Sequence, residues 1–303
     1  AVLSLWVAAA PLSTQVFEQA RKIAPASSTV LIRGESGTGK NLLASIIHAL
    51  GPKPDEPLMR IECAGLPADL VEAQLFGEEL GAGSARRGFL EIAAAGSVVL
   101  DQIGALPMAT QAKLLRVIEE KRFQRPGSSR PIDVNARVVA LTSIDLERAV
   151  TRRTFREDLY YRLNVVPLVL PPLRERRADI RPLAEHFATQ LSDMHRKPHV
   201  SPSSGAMAAL EQYSFPGNVR ELRSLIEYAV IHGSSPEILM EDLPAHVRSN
   251  GSGGGTKVSL EELERAYIAE VLDFTQGKKS KAAAILGISR KTLLEKRKRY
   301  GMQ

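Results

Sequence analysis

The chain has 303 residues, of which 44% are hydrophobic and 24% charged, a balance typical of a globular protein with one to three domains. The single cysteine, Cys63, excludes an internal disulfide framework and fits a reducing cytoplasm. The apolar run from Ala1 to Ala10 is too short to cross a bilayer and lacks the basic leader of a signal peptide. We therefore expect no membrane association and assign this run to core or strand.

Up to Pro171, short apolar strands alternate with amphipathic helices. Stretches such as Lys40–Leu50 and Thr110–Glu120 have apolar residues at every third or fourth position, as helices do. Strands are predicted at Thr29–Arg33, Met59–Cys63, Ser97–Leu100, Val138–Thr142 and Val165–Leu170. Because these strands are mostly apolar, the pattern predicts an α/β domain over residues 1–171, with a parallel sheet covered on both faces.

A glycine-rich loop follows the first predicted strand and opens a helix, which is the context that a phosphate-binding P-loop requires. Its glycines allow backbone N–H groups to surround the β- and γ-phosphates of a nucleotide, and the lysine and helix N-terminus add positive charge. The loop consists of Gly34, Glu35, Ser36, Gly37, Thr38, Gly39 and Lys40. Asn41 follows, where a P-loop normally has a Ser or Thr whose hydroxyl binds Mg²⁺.

The strand that begins at Ser97 ends in Asp101, followed by Gln102, which is the arrangement of a Walker B motif. A strand that ends in aspartate is common by itself, and its combination with the P-loop is what favours a nucleotide site. We therefore predict that the protein binds ATP and Mg²⁺, with Asp101 holding the metal directly or through water.

Helical patterns at residues 174–194, 203–213 and 217–232 follow Pro171 and predict a helical subdomain over residues 172–247. Next comes a segment, residues 248–256, whose glycine- and serine-rich run from Asn250 to Gly255 predicts a flexible linker, either native or engineered.

The last segment, residues 257–303, contains 11 Lys and Arg against 6 Asp and Glu and so carries most of the formal charge of +6. An amphipathic helix is predicted at Lys257–Thr275, and its apolar stripe is typical of a core or a dimer interface. A short helix, a tight turn at Gly287 and a second, basic helix follow. This spacing predicts a helix-turn-helix that places its second helix in the major groove of double-stranded DNA.

Basic residues at the start of the second helix are placed to reach base edges, whereas those of the first helix are better placed for phosphates. A basic run can also be a solvated surface, but the turn between the helices favours DNA binding. The candidate base contacts are Ser289, Arg290, Lys291, Thr292 and Lys296, the last of which could also reach a phosphate, and the candidate phosphate contacts are Lys279 and Lys281.

Several motifs resemble those of bacterial enhancer-binding proteins, the AAA+ activators that remodel RNA polymerase holoenzyme containing sigma-54. The last segment is similar to the Fis-type domain that ends this family. The motifs run from Gly34 to Lys40, Gln74 to Gly77, Gln111 to Val117, Phe155 to Val165, Leu173 to Arg176 and Phe215 to Leu222. The resemblance implies an AAA+ fold with a helical lid, ATP as the ligand, a ring formed through the AAA+ module and a dimer formed through the tail.

The resemblance also implies roles for individual residues. Arg156 and Arg162 match the arginine fingers, which reach the γ-phosphate bound by the neighbouring protomer. Without the resemblance, both would be read as surface arginines paired with neighbouring acids. Arg220 matches the sensor II arginine of the lid, and Val7, within residues 6–8, matches the apolar turn that packs against adenine.

Three positions of the predicted nucleotide site depart from the family pattern. Gln102 replaces the Walker B glutamate that polarises the attacking water, and Glu62 stands where the family has the asparagine that partners it, so the two side chains are exchanged. Ser143 replaces the asparagine of sensor I. Two hypotheses follow. Either Glu62 supplies the carboxylate and some hydrolysis is kept, or nucleotide is bound with weak or absent hydrolysis, which we favour.

A fourth departure follows Gly77, where the family inserts a loop with the sequence Gly-Ala-Phe-Thr-Gly-Ala that contacts sigma-54. The segment Glu78–Gly88 is several residues shorter and lacks the Phe-Thr core, so an exposed aromatic anchor is missing. We therefore predict a DNA-binding transcription regulator that does not activate sigma-54 holoenzyme. The alternatives are an active ATPase that remodels RNA polymerase holoenzyme, and an oligomerisation platform for which Lys40 would be dispensable.

Overall fold

The computed structural model consists of two units, Ala1–Gly251 and Ser252–Gln303. The residues that it describes are 2–81, 84–128, 130–198, 200–233, 235–251, 268, 271–272, 275, 279–286, 288 and 290–300. None of the helices in this described part of the chain is long and apolar enough to cross a membrane.

A five-stranded parallel sheet lies at the centre of the first unit. The strands of this unit are β1 (Val30–Arg33), β2 (Leu58–Glu62), β3 (Gly77–Gly81), β4 (Ser84–Arg87), β5 (Ser97–Asp101), β6 (Arg122–Gln124), β7 (Pro131–Asp133), β8 (Arg137–Thr142), β9 (Val166–Val169), β10 (Ser201–Pro202) and β11 (Glu237–Ile238). The sheet has the order β2-β5-β8-β1-β9. Its three inner strands are buried along nearly their whole length, which explains their unbroken apolar sequences.

Helices cover both faces of this sheet, as the sequence predicted. They are α1 (Pro11–Ile23), α2 (Lys40–Ala49), α3 (Ala68–Phe76), α4 (Phe89–Ile92), α5 (Met108–Glu120), α6 (Leu146–Thr151) and α7 (Glu157–Leu163). Along β8, Val139 and Leu141 pack with α1 and α2, whereas Val138 and Ala140 pack with helices of the other face. This alternation follows from the two-residue period of a strand. The predicted α/β architecture is therefore confirmed.

A helical subdomain, called the lid below, follows β9 and has its own apolar core around the fully buried Phe215. Its helices are α8 (Ile180–His195), α9 (Ser204–Gln212), α10 (Asn218–His232) and α11 (Ala245–Gly251). The helix predicted from residue 174 begins later, because two 3-10 turns, Leu173–Glu175 and Arg177–Asp179, precede it. Side chains from these turns bond to distant backbone groups, which competes with a regular helix.

Two parts of the first unit differ from the sequence-based expectation. Residues 3–5 form a 3-10 turn rather than a strand, and Leu3 and Leu5 are each 44% exposed. The edge strands of the sheet are β9 and β2, so this segment is no part of it. Two antiparallel hairpins, β3–β4 and β6–β7, were not predicted. The first of them lies almost entirely in the segment Glu78–Gly88, for which the sequence comparison with the family predicts a shortened loop.

The second unit contains the predicted helix-turn-helix pair, α12 (Lys279–Ile285) and α13 (Arg290–Arg299). Ala282, Ala283 and Leu293 pack with Ile268 and Val271 in a small apolar core. Most of the amphipathic helix predicted at 257–275 lies outside the described residues.

Candidate nucleotide-binding site

The glycine-rich loop connects β1 to α2 at the carboxyl end of the parallel sheet. Gly37 has a φ of +77°, and a Cβ at this position would lie 2.1 Å from the carbonyl oxygen of Gly217 in the lid. Gly39, with a φ of +107°, precedes the first turn of α2. Only glycine combines this backbone conformation with so close an approach to the lid.

Lys40 begins α2 and is 8% exposed. Its Nζ donates hydrogen bonds of 2.8 Å to the carbonyl oxygens of Gly34 and Glu35. Burial lowers the pKa of Lys40 and the charge of Arg220 lowers it further, while Asp101 acts in the opposite direction. The ammonium group is therefore held inside the loop, where the phosphates of a nucleotide would take the place of the two carbonyl groups.

Asp101 ends β5 and is bonded to the residue after the lysine. Asn41 Nδ2 donates a hydrogen bond of 2.6 Å to Asp101 Oδ2. Asn41 Oδ1 is buried and has no hydrogen-bond partner in the described structure. An unsatisfied amide oxygen beside a carboxylate matches the oxygen donors that Mg²⁺ prefers. The residues therefore fit a magnesium ion, with the Asn41 amide in place of the usual hydroxyl.

Glu62 and Gln102, the two residues exchanged relative to the family pattern, lie beside Asp101. Glu62 ends β2 directly opposite Asp101 in the parallel register, and its pKa is raised by burial and, secondarily, by the charge of Asp101. Gln102 has a left-handed backbone conformation, with a φ of +55°. Glu62, Asp101, Gln102 and Ser143 line one cleft of about 520 Å³ together with Lys40. The carboxyl ends of β2, β5 and β8 thus bring these predicted residues together.

The lid forms the opposite wall of this cleft. Arg220 Nη1 donates a hydrogen bond of 3.2 Å to Ser36 Oγ, which places the predicted sensor II residue against the loop. Sequence reasoning missed three further lining residues of the lid, Phe187, Val219 and Arg223, and, on the loop side, Leu42. The sequence could have indicated Arg223, because it follows Arg220 by three residues and residues at this spacing share a helix face. For Phe187 nothing local marked a role.

A salt bridge and an amide join the P-loop to the lid. The carboxylate of Glu35 accepts two hydrogen bonds, of 2.8 and 2.6 Å, from Arg174, and one of 3.1 Å from Asn218 Nδ2. These bonds lower the pKa of Glu35 to about 2. Arg176, which is buried, donates a 2.7 Å bond to the carbonyl oxygen of Thr38. Glu35 and Thr38 therefore hold the loop to the lid.

Val7 does not line the cleft itself. It packs against the lid core, in the apolar cluster that also includes Phe187 and Val219. The backbone N–H groups of Ala9 and Ala10 donate to the fully buried carboxylate of Asp179, at 2.6 and 2.7 Å. The amino-terminal segment is thus fixed to the lid beside the cleft.

The two predicted arginine fingers lie outside the cleft of their own protomer. Arg156 makes a two-pronged ion pair with Asp158, with N–O distances of 3.0 and 2.6 Å, and this bonding raises the pKa of Arg156. Arg162 is exposed on α7. Within a single protomer, Arg156 therefore forms a surface ion pair, as its neighbouring acidic residues alone would suggest.

In the second unit, Lys279, Lys281 and Arg290 are exposed, and Thr292 and Lys296 are partly buried. Lys291 belongs to α13, as predicted, and Ser289 lies outside the described residues. The basic residues in the described part of this unit are therefore on the two helices that the sequence assigned to them.

A P-loop, a Walker B aspartate and a lid arginine around one cleft define a protein of the AAA+ class. Three family models match the chain: the sigma-54 interaction domain at residues 7–169, the AAA+ ATPase lid domain at 174–260 and the bacterial regulatory protein, Fis family, at 259–300. The chain therefore belongs to the family of sigma-54-interacting AAA+ transcription regulators, which confirms the resemblance seen in its motifs.

Curated relatives match nearly all of the chain. It is 41% identical over 307 aligned residues to the regulatory protein AtoC of Escherichia coli (strain K12), covering 96% of this chain and 67% of AtoC. It is also 41% identical to the nitrogen fixation protein AnfA of Azotobacter vinelandii, covering 95% of this chain and 56% of AnfA. The chain thus spans roughly half to two thirds of the length of these relatives.

Solved structures agree with this placement. NtrX from Brucella abortus, crystallised in complex with ATP, has a TM-score of 0.75 and 32% identity, over 97% of this chain and 69% of NtrX. The complex of NtrX with ADP has a TM-score of 0.76 and 31% identity, over 96% of this chain and 68% of NtrX. Hsp104, at 17% identity and a TM-score of 0.57, shares the fold alone.

Proposed function

We propose that the chain is a DNA-binding transcription regulator whose AAA+ module binds ATP with Mg²⁺, assembles into a ring, and hydrolyses ATP slowly or not at all. The main support is the single cleft that brings Lys40, Asp101 and Arg220 together with the exchanged pair Glu62 and Gln102. The NtrX complexes support the choice of adenine nucleotide, because ATP and ADP are bound by a structurally similar protein.

The roles of the residues follow from their positions. Lys40 and the loop N–H groups would bind the phosphates, and Arg220 would approach them from the lid. Asp101 and the free Asn41 oxygen would hold Mg²⁺, which when bound neutralises charge on the phosphates. Gln102 can orient a water molecule but cannot accept its proton.

Weak hydrolysis is proposed because the usual base is missing. Among the described residues lining the cleft, Glu62 is the one carboxylate other than the proposed metal ligand. Its position opposite Asp101 supports the hypothesis that it takes the role of the Walker B glutamate. The same observation favours the second candidate function, an active ATPase that remodels RNA polymerase holoenzyme.

Ring assembly would bring Arg156 and Arg162 to the nucleotide of the neighbouring protomer. For Arg156 this requires that its ion pair with Asp158 be exchanged for the γ-phosphate. Little stability is lost in this exchange, because both side chains are exposed and water screens the attraction between their charges. A dimer through the tail and a ring through the AAA+ module complete the proposed assembly.

The protein is expected not to form open complexes at a promoter that depends on sigma-54. The β3–β4 hairpin is short, and the large exposed apolar residue in its described part is Leu80 rather than an aromatic. The test is open-complex formation by purified sigma-54 holoenzyme with ATP, with an activator that has the Gly-Ala-Phe-Thr-Gly-Ala loop as the positive control. Open complexes formed with this protein would contradict the prediction.

The tail is expected to bind double-stranded DNA through α13. Arg290→Ala should lower affinity for a site selected from a random-sequence library by about tenfold, the loss of one charge-assisted contact. Lys22→Ala, an exposed cation on α1, serves as the matched control and should bind normally. Equal affinities of the two variants, measured by fluorescence anisotropy at one salt concentration, would exclude this contact.

A further inference from the structure

Arg223 of the lid lines the same cleft as Lys40 and Arg220. It lies on α10 three residues after Arg220, so the two guanidinium groups extend from one face of the helix. Arg220 reaches Ser36 at the loop. Arg223, about one turn further along α10, lines the same wall of the cleft.

No hydrogen bond or ion pair holds Arg223 within the residues that the structure describes, and its side chain is exposed. Other arginines of the lid are paired: Arg174 with Glu35, and Arg181 with Glu211. The acids of α10 itself are engaged elsewhere. Glu221 accepts from Tyr213 and from the backbone of Gly217, and Glu227 pairs with His195. Arg223 therefore has its donors available to a ligand.

The charges of the cleft indicate what that ligand is. Three cations, Lys40, Arg220 and Arg223, face two carboxylates, Glu62 and Asp101. One of the carboxylates, Asp101, is the proposed Mg²⁺ ligand. The three cations therefore outnumber the remaining carboxylate, and this excess of positive charge favours a polyphosphate ligand. A guanidinium is well suited to phosphate oxygens because it presents several donors in one plane.

We propose that Arg223 is a second lid cation that donates hydrogen bonds to the phosphate chain of bound ATP, beside Arg220. This proposal rests on nucleotide binding in the cleft, as set out above. The proposed role of Arg223 is to bind the ligand and not to stabilise the fold, since its side chain bonds to no other side chain or backbone group among the described residues.

The test compares the binding of a fluorescent ATP analogue, with Mg²⁺ at low salt, to the full chain and three variants. Arg223→Ala is expected to weaken binding about tenfold, as loss of a charge-assisted contact does, and Arg223→Lys is expected to recover part of this loss. Arg181→Ala is the matched control, because it removes an exposed arginine of the lid that does not line the cleft. Its affinity should equal that of the parent.

Two results would overturn the proposal. The first is an Arg223→Ala affinity equal to that of Arg181→Ala. The second is a melting temperature of Arg223→Ala, measured without nucleotide, that is lower than that of the parent. A residue that contacts only the ligand should leave the stability of the nucleotide-free protein unchanged. Failure of the proposed function is distinct from both: the parent would then bind no nucleotide, and Lys40→Ala would behave as the parent does.

Discussion

Replacement of Glu62 by glutamine is expected to lower the rate at which the purified protein hydrolyses ATP by about 100-fold or more. The reason is that Gln102 cannot accept a proton, and Glu62 is the cleft carboxylate not assigned to Mg²⁺. ATP binding should be kept, because Glu62→Gln retains the size and polarity of the side chain. Steady-state phosphate release and nucleotide affinity, measured on the same preparation, give both quantities.

The double variant Glu62→Asn with Gln102→Glu is the matched control. It restores the arrangement of the family and should raise turnover above that of the parent, by about 100-fold if the position of the base limits the rate. A parent without any turnover would contradict the exchange hypothesis. Turnover that persists in Glu62→Gln would show that another group acts as the base.

Replacement of Lys40 by alanine is expected to lower the affinity for ATP by about 100-fold. This is near the upper end of the effect of removing a charged group that is hydrogen-bonded to a ligand. Lys40 is buried in the loop, and its ammonium group is held by the carbonyl groups of Gly34 and Glu35. In the proposed complex with ATP, bonds to phosphate oxygens would replace these two bonds. Alanine removes the charge without altering the start of α2.

The control for this experiment is Lys53→Ala, which removes an exposed lysine from the opposite end of the sheet. Its nucleotide affinity should equal that of the parent. If Lys40→Ala also binds as the parent does, the cleft is not the nucleotide site, and the view of the AAA+ module as a mere oligomerisation platform gains support. Isothermal titration with ATP and Mg²⁺ checks both variants.

Much of the candidate site could be predicted because it depends on local sequence. Lys40 is defined by the spacing of the glycines before it and Asp101 by the end of an apolar strand, whereas Glu62 was indicated by its departure from the family pattern. Since the carboxyl ends of parallel strands meet at one edge, these residues converge once the strands are identified. The left-handed conformation of Gly37 and Gly39 is likewise a local property of the loop.

Other parts of the site were not predictable from local patterns. Phe187 enters the cleft from a helix far along the chain, and its position depends on how the lid packs. The bond between Asn41 and Asp101 joins residues 60 positions apart. The strands β3 and β4 contain charged residues and glycines in a pattern that indicates no strand, and they are held together by antiparallel backbone pairing.

The amino-acid sequence alone thus determined the α/β fold, the P-loop, the Walker B strand and the family, because each is encoded in short-range spacing. The tertiary structure decided which lid residues line the cleft and how the lid is attached. Asp179, for example, bonds to Ala9 and Ala10, about 170 residues away. Such contacts arise when buried polar groups must find partners after the two cores have packed, and no local pattern specifies those partners.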